Sequence, residues 1–282
     1  MTATTVYKQG WTLDEVHWDW FDPSRVDPGL LAAVKAAALV EYNAPDYVTY
    51  LKRVFHDSGP QTLAAIEQWG MEEGQHGKAL GRYAEMADPG FRMEDAFVRF
   101  RKGYTPAHFA EAEGGSVRGS RRGEMIARCV VESGTSSYYS AIRDASEEPL
   151  LREIAGRIAA DEYRHYKLFY DTLATQKEPE LSFWKKLAIA IGRVRESEDD
   201  ELAFAYYCAN VTPEEEAAKP YDRKLYSKLS SANGAAIYNR KHIQKLVQMV
   251  VKVVGADPHG WLANLAGSIL WWRLRKNASA SI

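Results

Sequence analysis

Two copies of one pattern leave this chain few ways to fold. Glu41 stands alone among apolar residues in AAALVEYNAP and is followed 32 residues later by Glu73-Gly-Gln-His76. Glu132, in ARCVVESGTSS, is followed 30 residues later by Glu162-Tyr-Arg-His165. Of the seven histidines, only these two have a Glu three residues earlier. One such pair is ordinary on a solvated helix face. A repeated unit of lone carboxylate and then Glu-x-x-His is not. Residues i and i+3 share one side of a helix, so each motif offers a carboxylate and an imidazole toward the same axis. Two antiparallel helix pairs would then bring four Glu and two His together.

The rest of the chain agrees with an all-α fold, because helical periodicity recurs and alternating β-branched runs bounded by turns do not. Asp27-Pro28 opens a first helix running to the Asp57-Ser58-Gly59-Pro60 break, with a kink expected at Pro45. Pro60 opens a second helix, which stops at Asp88-Pro89-Gly90. A third is expected over about 123–144, and a fourth, capped by Ser146, ends near Glu178-Pro179. Further helices are expected near 181–196, 200–210, 221–254 and 258–277. No Ser/Gly/Pro linker divides the chain, so one domain spans 1–282: an aromatic segment 1–27, a core of about 28–175 and accessory helices over 181–282.

Composition removes several classes of function. Net charge is −2, hydrophobic residues make up 46% and charged ones 26%, which excludes a polybasic nucleic-acid binder and a disordered tail. Two isolated cysteines, Cys129 and Cys208, cannot build a disulfide framework or a thiolate zinc site, and a reducing, cytoplasmic location is expected. No secretory leader is legible. The longest charge-free apolar run, 260–272, is too short for a transmembrane segment. The tail WLANLAGSILWWRLRK is expected to pack or to make a contact in a homodimer, with a membrane surface or another partner as the alternative. The N-terminal Trp11, Trp18 and Trp20 could form an electron-entry path or a lid, with plain packing the simpler expectation.

Four buried carboxylates without counter-charge would be costly or would protonate; two metal ions remove that penalty. The six residues Glu41, Glu73, His76, Glu132, Glu162 and His165 match the ligand set of ferritin-like di-iron and di-manganese carboxylate proteins, a Glu from each of two helices and Glu-x-x-His from each of the other two. Mixed carboxylate and imidazole donors without thiolate suit two iron ions, with manganese the alternative in one or both positions. Thr135, one turn beyond Glu132, could donate a proton or hydrogen bond in O2 chemistry, or bond back to the carbonyl of Val131 or Glu132. Asp161, beside Glu162 and four residues before His165, is a candidate to hold a ligating imidazole by its free N–H.

These segments also resemble the acyl-[acyl-carrier-protein] desaturase family. Trp69-x-x-Glu72-Glu73-x-x-His76-Gly77 is similar to its W-x-x-E-E-N-R-H-G stretch, and Ile158-Ala-Ala-Asp161-Glu162-x-Arg164-His165 to its I-A-A-D-E-K-R-H. Glu41-x-x-x-Pro45-x-Tyr47 resembles E-E-A-L-P-T-Y, and Glu132-x-x-Thr135 resembles E-R-A-T. The resemblance implies iron ligands at the same six residues, an active-site hydroxyl at Thr135 and an outer acid at Asp161. Gly74, Gln75 and Tyr166 depart from the pattern, where the family has Asn, Arg and Glu. The expected function is an O2-activating di-iron oxidoreductase, desaturase- or hydroxylase-like. Its substrate would be apolar, a small molecule or a fatty acyl thioester on a carrier, and its electrons would come from a ferredoxin-type donor. A basic stretch over 92–122, with Arg99, Arg101, Arg118, Arg121 and Arg122, could dock an acidic carrier. The alternative is a ferroxidase or peroxide-scavenging protein without an organic substrate. No nucleic-acid partner is expected.

Overall fold

Asp27 accepts a hydrogen bond from the Leu30 amide at 2.8 Å and Pro28 takes the first helical position, so helix α1 (Pro28–Tyr42) starts on two cooperating signals. The structure is a computed structural model describing residues 10–104, 115–196 and 200–279; the first nine residues of the aromatic segment and the middle of the basic stretch lie outside them. Helix α1 is apolar almost all round and is correspondingly buried, from Leu30 through Glu41. It ends at Asn43. Pro45 breaks the helix here instead of kinking it: with no N–H to continue the ladder, it sits in the first turn of a separate helix, α2 (Ala44–Val54).

Gly59, at φ +90°, makes the turn into α3 (Pro60–Ala87), which is followed by α4 (Met93–Gly103). Ser120 caps α5 (Arg121–Ala145). The cap of α6 (Pro149–Thr175) is Glu148, not the expected Ser146. Pro149 fixes the start, and the Glu148 carboxylate accepts from the Leu150 and Leu151 amides while Ser146 Oγ accepts from the Glu148 amide. The remaining helices are α7 (Phe183–Glu196), α8 (Asp200–Asn210), α9 (Arg223–Ile237), α10 (Arg240–Val253) and α11 (Trp261–Ser279). The single helix expected over 221–254 is therefore two. Asn239 turns its side chain onto the amides of Lys241 and His242 and starts a new helix. Among the described residues there is no strand, and no helix is long and apolar enough to cross a membrane.

Four long segments run side by side. Tyr42 meets Gly77 and Lys35 meets Asp88, so α1 and α3 are antiparallel. Ser136 bonds the carbonyl of Ala159 while Cys129 meets that of Tyr166, so α5 and α6 are too. Trp69 stacks edge-on with Phe169 and His76 meets Asp161, which sets α3 antiparallel to α6. Two groups of buried apolar residues lie toward opposite ends of these segments. One contains Val34, Leu80, Ile142 and Ile154, and the other Leu51, Ile66, Ile126 and Phe169. The residues between the two groups are polar. The last third lies against this core, α8 on α1, α10 on α5 and α11 on α10. Arginines of the basic stretch serve as internal ties: Arg99 to the Val211 carbonyl at 2.7 Å, Arg121 to that of Val54 at 3.0 Å, Arg122 to that of Glu178 at 2.8 Å, and Arg118 to Glu196. Trp261, Leu265, Ile269 and Trp272 line an exposed stripe on α11.

Candidate metal centre

The polar layer between the two apolar groups is the repeated motif. Helix α1 supplies Glu41, α3 Glu73 and His76, α5 Glu132, and α6 Glu162 with His165, all buried, the two imidazoles at 0% exposure. They form two groups, Glu41-Glu73-His76-Glu162 and Glu73-Glu132-Glu162-His165, in each of which the ligand atoms lie within 4.8 Å of one another. Glu73 and Glu162 belong to both. His76 Nδ1 lies 3.1 Å from Glu162 Oε1, 3.8 Å from Glu73 Oε2 and 4.0 Å from Glu41 Oε2. His165 Nδ1 lies 2.9 Å from Glu73 Oε1 and 3.7 Å from Glu132 Oε2.

These residues fit metal ions better than they fit each other. His76 Nδ1, His165 Nδ1, Glu73 Oε1, Glu132 Oε1 and Glu162 Oε1 are buried and have no hydrogen-bond partner, although some stand about 3 Å apart. Atoms that share an octahedral ion at about 2.1 Å are spaced in this way, with lone pairs aimed at a common point. Without metal, the charges are managed by protons. Burial, then the Glu73 and Glu162 carboxylates, push Glu41 well above the usual carboxyl range. Burial likewise pushes Glu132 up, against the imidazole of His165. Burial would also raise Glu73, but the protonated Glu41 carboxyl and the two imidazoles close beside it outweigh it and hold Glu73 well below. For the histidines burial disfavours the cation, and their carboxylate partners, Asp161 first for His76 and Glu132 first for His165, outweigh it and raise both.

An outer layer orients the imidazoles, and it is crossed. Asp161 on α6 meets Nε2 of His76 at 3.0 Å, whereas Glu72 on α3 meets Nε2 of His165 at 2.8 Å. Asp161 therefore serves the histidine of the opposite helix, not the one a turn away. With each Nε2 facing an acid, each Nδ1 is left for the ligand layer. Arg164 bonds Asp161 and lies 3.6 Å from Glu72, tying the two acids to one cation. Thr135 Oγ1 is within donating distance of Glu162 Oε2 and lies 3.3 Å from the carbonyls of Val131 and Glu132, so the expected bond back to the helix carbonyls competes with one to Glu162. Tyr139 donates to Glu41 Oε1.

The N-terminal segment closes over α3 and α6. Trp11 Nε1 donates to Asp161 Oδ2 at 2.8 Å, and its ring stacks on His76. Gln75, one departure from the desaturase pattern, donates to the Trp11 carbonyl at 3.0 Å. Tyr166, another, donates to the Met249 carbonyl and fastens α10. Trp18 lies under the Arg82 guanidinium and Trp20 against His17, away from the ligands. No family model and no curated protein sequence matches this chain.

Beside the ligand layer is a cavity of about 90 Å³. Glu41, Glu73, Glu132, Glu162 and Thr135 form its inner wall; Val40, Ala44, Trp69 and Val131 add apolar surface, and Tyr47, Arg128, Arg193 and Glu201 complete it. Sequence reasoning missed Glu72, which the repeat could have found: an acid precedes the motif Glu in both halves, Glu72-Glu73 and Asp161-Glu162. It also missed Arg128, Arg193 and Glu201. For these no local signal exists, since Arg193 and Glu201 reach the cavity from α7 and α8, outside the repeat.

Proposed function

We propose that this protein is a ferritin-like, O2-activating di-iron oxidoreductase, desaturase- or hydroxylase-like in its chemistry. The observation that carries the reading is the pair of four-residue groups sharing Glu73 and Glu162, whose facing atoms have no partner in the chain. Glu41, Glu73, His76 and Glu162 would hold one ion, and Glu73, Glu132, Glu162 and His165 the other. Iron held there supplies the capacity to activate O2 and oxidise an unactivated substrate.

The chain's own residues do the rest. Asp161 and Glu72 fix the imidazole orientation by accepting from Nε2. Tyr139 and Thr135 each donate to one oxygen of Glu41 and Glu162 and so fix the orientation of these carboxylates. Thr135, on the cavity wall, holds a transferable proton beside the centre. The Trp11 indole, Asp161 and His76 form a continuous hydrogen-bonded path from the N-terminal segment to the ligand layer, a route by which a ferredoxin-type donor can deliver electrons. The cavity gives an organic molecule room next to Glu132 and Thr135, which favours oxidation of such a molecule over the ferroxidase alternative.

Metal analysis of the purified protein tests this. Two transition-metal ions per chain are expected, and Glu73→Ala should lose both because Glu73 belongs to both groups. Less than one ion per chain, with no loss in Glu73→Ala, would overturn the reading. O2 uptake by the reduced, loaded protein separates the alternatives: uptake fixed by iron alone, whatever organic compound is added, identifies a ferroxidase.

A further inference from the structure

The cavity wall away from the ligands is rich in donors that nothing in the chain satisfies. Arg128, on α5 one turn before Glu132, is buried and makes no hydrogen bond; its guanidinium lies over the Tyr47 ring, 5.3 Å from the centroid, and its Nε pairs with Glu124 Oε1 only at 3.6 Å, beyond hydrogen-bonding distance. Glu124 is already engaged, its Oε2 accepting from Tyr50 at 2.6 Å and Ser116 at 2.8 Å. Arg193 also makes no hydrogen bond or ion pair, and its Nε is shielded from solvent. The Trp69 Nε1–H is a third buried donor without an acceptor. Against these three stands Glu201, which accepts from Tyr47 through Oε2 at 2.6 Å and has Oε1 unpartnered.

We infer that this cavity is a binding site for a small carboxylate anion, held by the guanidiniums of Arg128 and Arg193 with its carbon skeleton toward Thr135 and the ligand layer. The inference rests on the oxidoreductase reading for its meaning, since it names the class of substrate, but not for the binding itself. A planar carboxylate has the two acceptor oxygens that a guanidinium fork pairs with, and a neutral amide or alcohol offers no charge to strengthen those hydrogen bonds. Water can accept from the N–H groups but brings no negative charge to them. Repulsion between the two cations is already felt: burial and then Arg128 lower the proton affinity of Arg193. The volume sets the size. At about 90 Å³ the space is well below the roughly 300 Å³ at which pockets for larger ligands begin, so the fitting molecules are short-chain or single-ring acids. Val40, Ala44 and Val131 give the skeleton an apolar wall.

Calorimetric titration of the full-length protein, metal-free and Mn(II)-loaded, with benzoate and butyrate and with the neutral benzamide and butyramide tests this. Carboxylates are expected to bind at least tenfold more tightly than their amides in both forms, and Arg193→Gln and Arg128→Gln each to lose at least tenfold. Arg193→Lys should recover part of the loss. Arg193 is half-buried and makes no bond in the chain, so its variants keep the test sound even where Arg128→Gln unfolds. Equal binding of acid and amide, or an unchanged affinity in a folded Arg193→Gln, overturns the inference. The two readings fail separately. Two ions per chain without carboxylate preference removes the anion site alone; carboxylate preference in a protein that takes up no metal removes the oxidoreductase reading and leaves the anion site standing.

Discussion

Asp161 and Glu72 each take the Nε2 proton of a histidine on the other's helix, and this crossing couples the two halves of the repeat more tightly than the ligands alone would. An imidazole whose outer partner is removed can rotate and lose basicity, which typically costs 10–100-fold in metal affinity. Asp161→Ala should therefore weaken the ion held through His76, and Glu72→Ala the one held through His165. Each variant should titrate with one tight and one weak ion instead of two tight ones, as followed by equilibrium dialysis with Mn(II). Weakening of the same site by both substitutions would contradict the crossed arrangement. The clustering of Glu41, Glu73, His76, Glu132, Glu162 and His165 was legible in the sequence because a duplicated spacing of Glu and His is hard to produce by surface charge. The partner of Asp161 was not. Spacing along one helix places Asp161 near His165, and only the packing of α3 on α6 gives it His76.

At the scale of the helix, the distance between α1 and α3 decides whether Glu41 can reach the ligand layer at all. A Cβ on Gly77 would stand 2.6 Å from the backbone nitrogen of Tyr42 and 2.8 Å from its Cα, so the helices touch here only because residue 77 has no side chain. Neither neighbour is a flexible side-chain end. Gly77→Ala should push α1 away and cost about 1–3 kcal/mol of stability, the usual penalty of overpacking, and should weaken metal binding because Glu41 moves with α1. Gly74 is the matched control, one residue after Glu73 on the same helix, where a Cβ would meet nothing within 4 Å. Gly74→Ala should raise stability by up to about 1 kcal/mol through helix propensity alone, with metal binding intact. Denaturant unfolding of both variants checks the opposite signs. Helix ends were readable where a cap coincided with Pro, as at Asp27-Pro28. They were misplaced where a side chain competed with the helix: Glu148 displaced Ser146 as the cap of α6, and Asn239 divided the helix expected over 221–254.

In the whole molecule, the stability of the core and the loading of its centre are linked through protons. Without metal, Glu41 and Glu132 have proton affinities raised well above the ordinary carboxyl value of 4.5, so once the pH passes that value the unfolded chain releases protons that the folded chain keeps. His76 and His165 are raised well above 6.5 and act in the same direction at higher pH. In both windows the native state binds more protons than the unfolded state, and stability must fall as pH rises. Glu73, held below 4.5, opposes this only in the acid range, where its protonation removes stability as pH drops. Metal reverses the dependence, because the ions take the places of these protons and bind more strongly as the protons leave. The metal-free protein should be most stable in mildly acidic solution and lose Tm steadily from about pH 5 to pH 8. The loaded protein should hold or gain over the same range, so that the gap between the two widens with pH. At a free metal concentration about a hundred times Kd, one ion adds about 2.7 kcal/mol, or roughly 5 °C for a chain of this size. Differential scanning calorimetry at a series of pH values, with chelator and with Mn(II), measures both curves. A metal-free Tm that climbs from pH 5 to pH 8 would show that the buried carboxylates and imidazoles are not holding protons for an ion to displace.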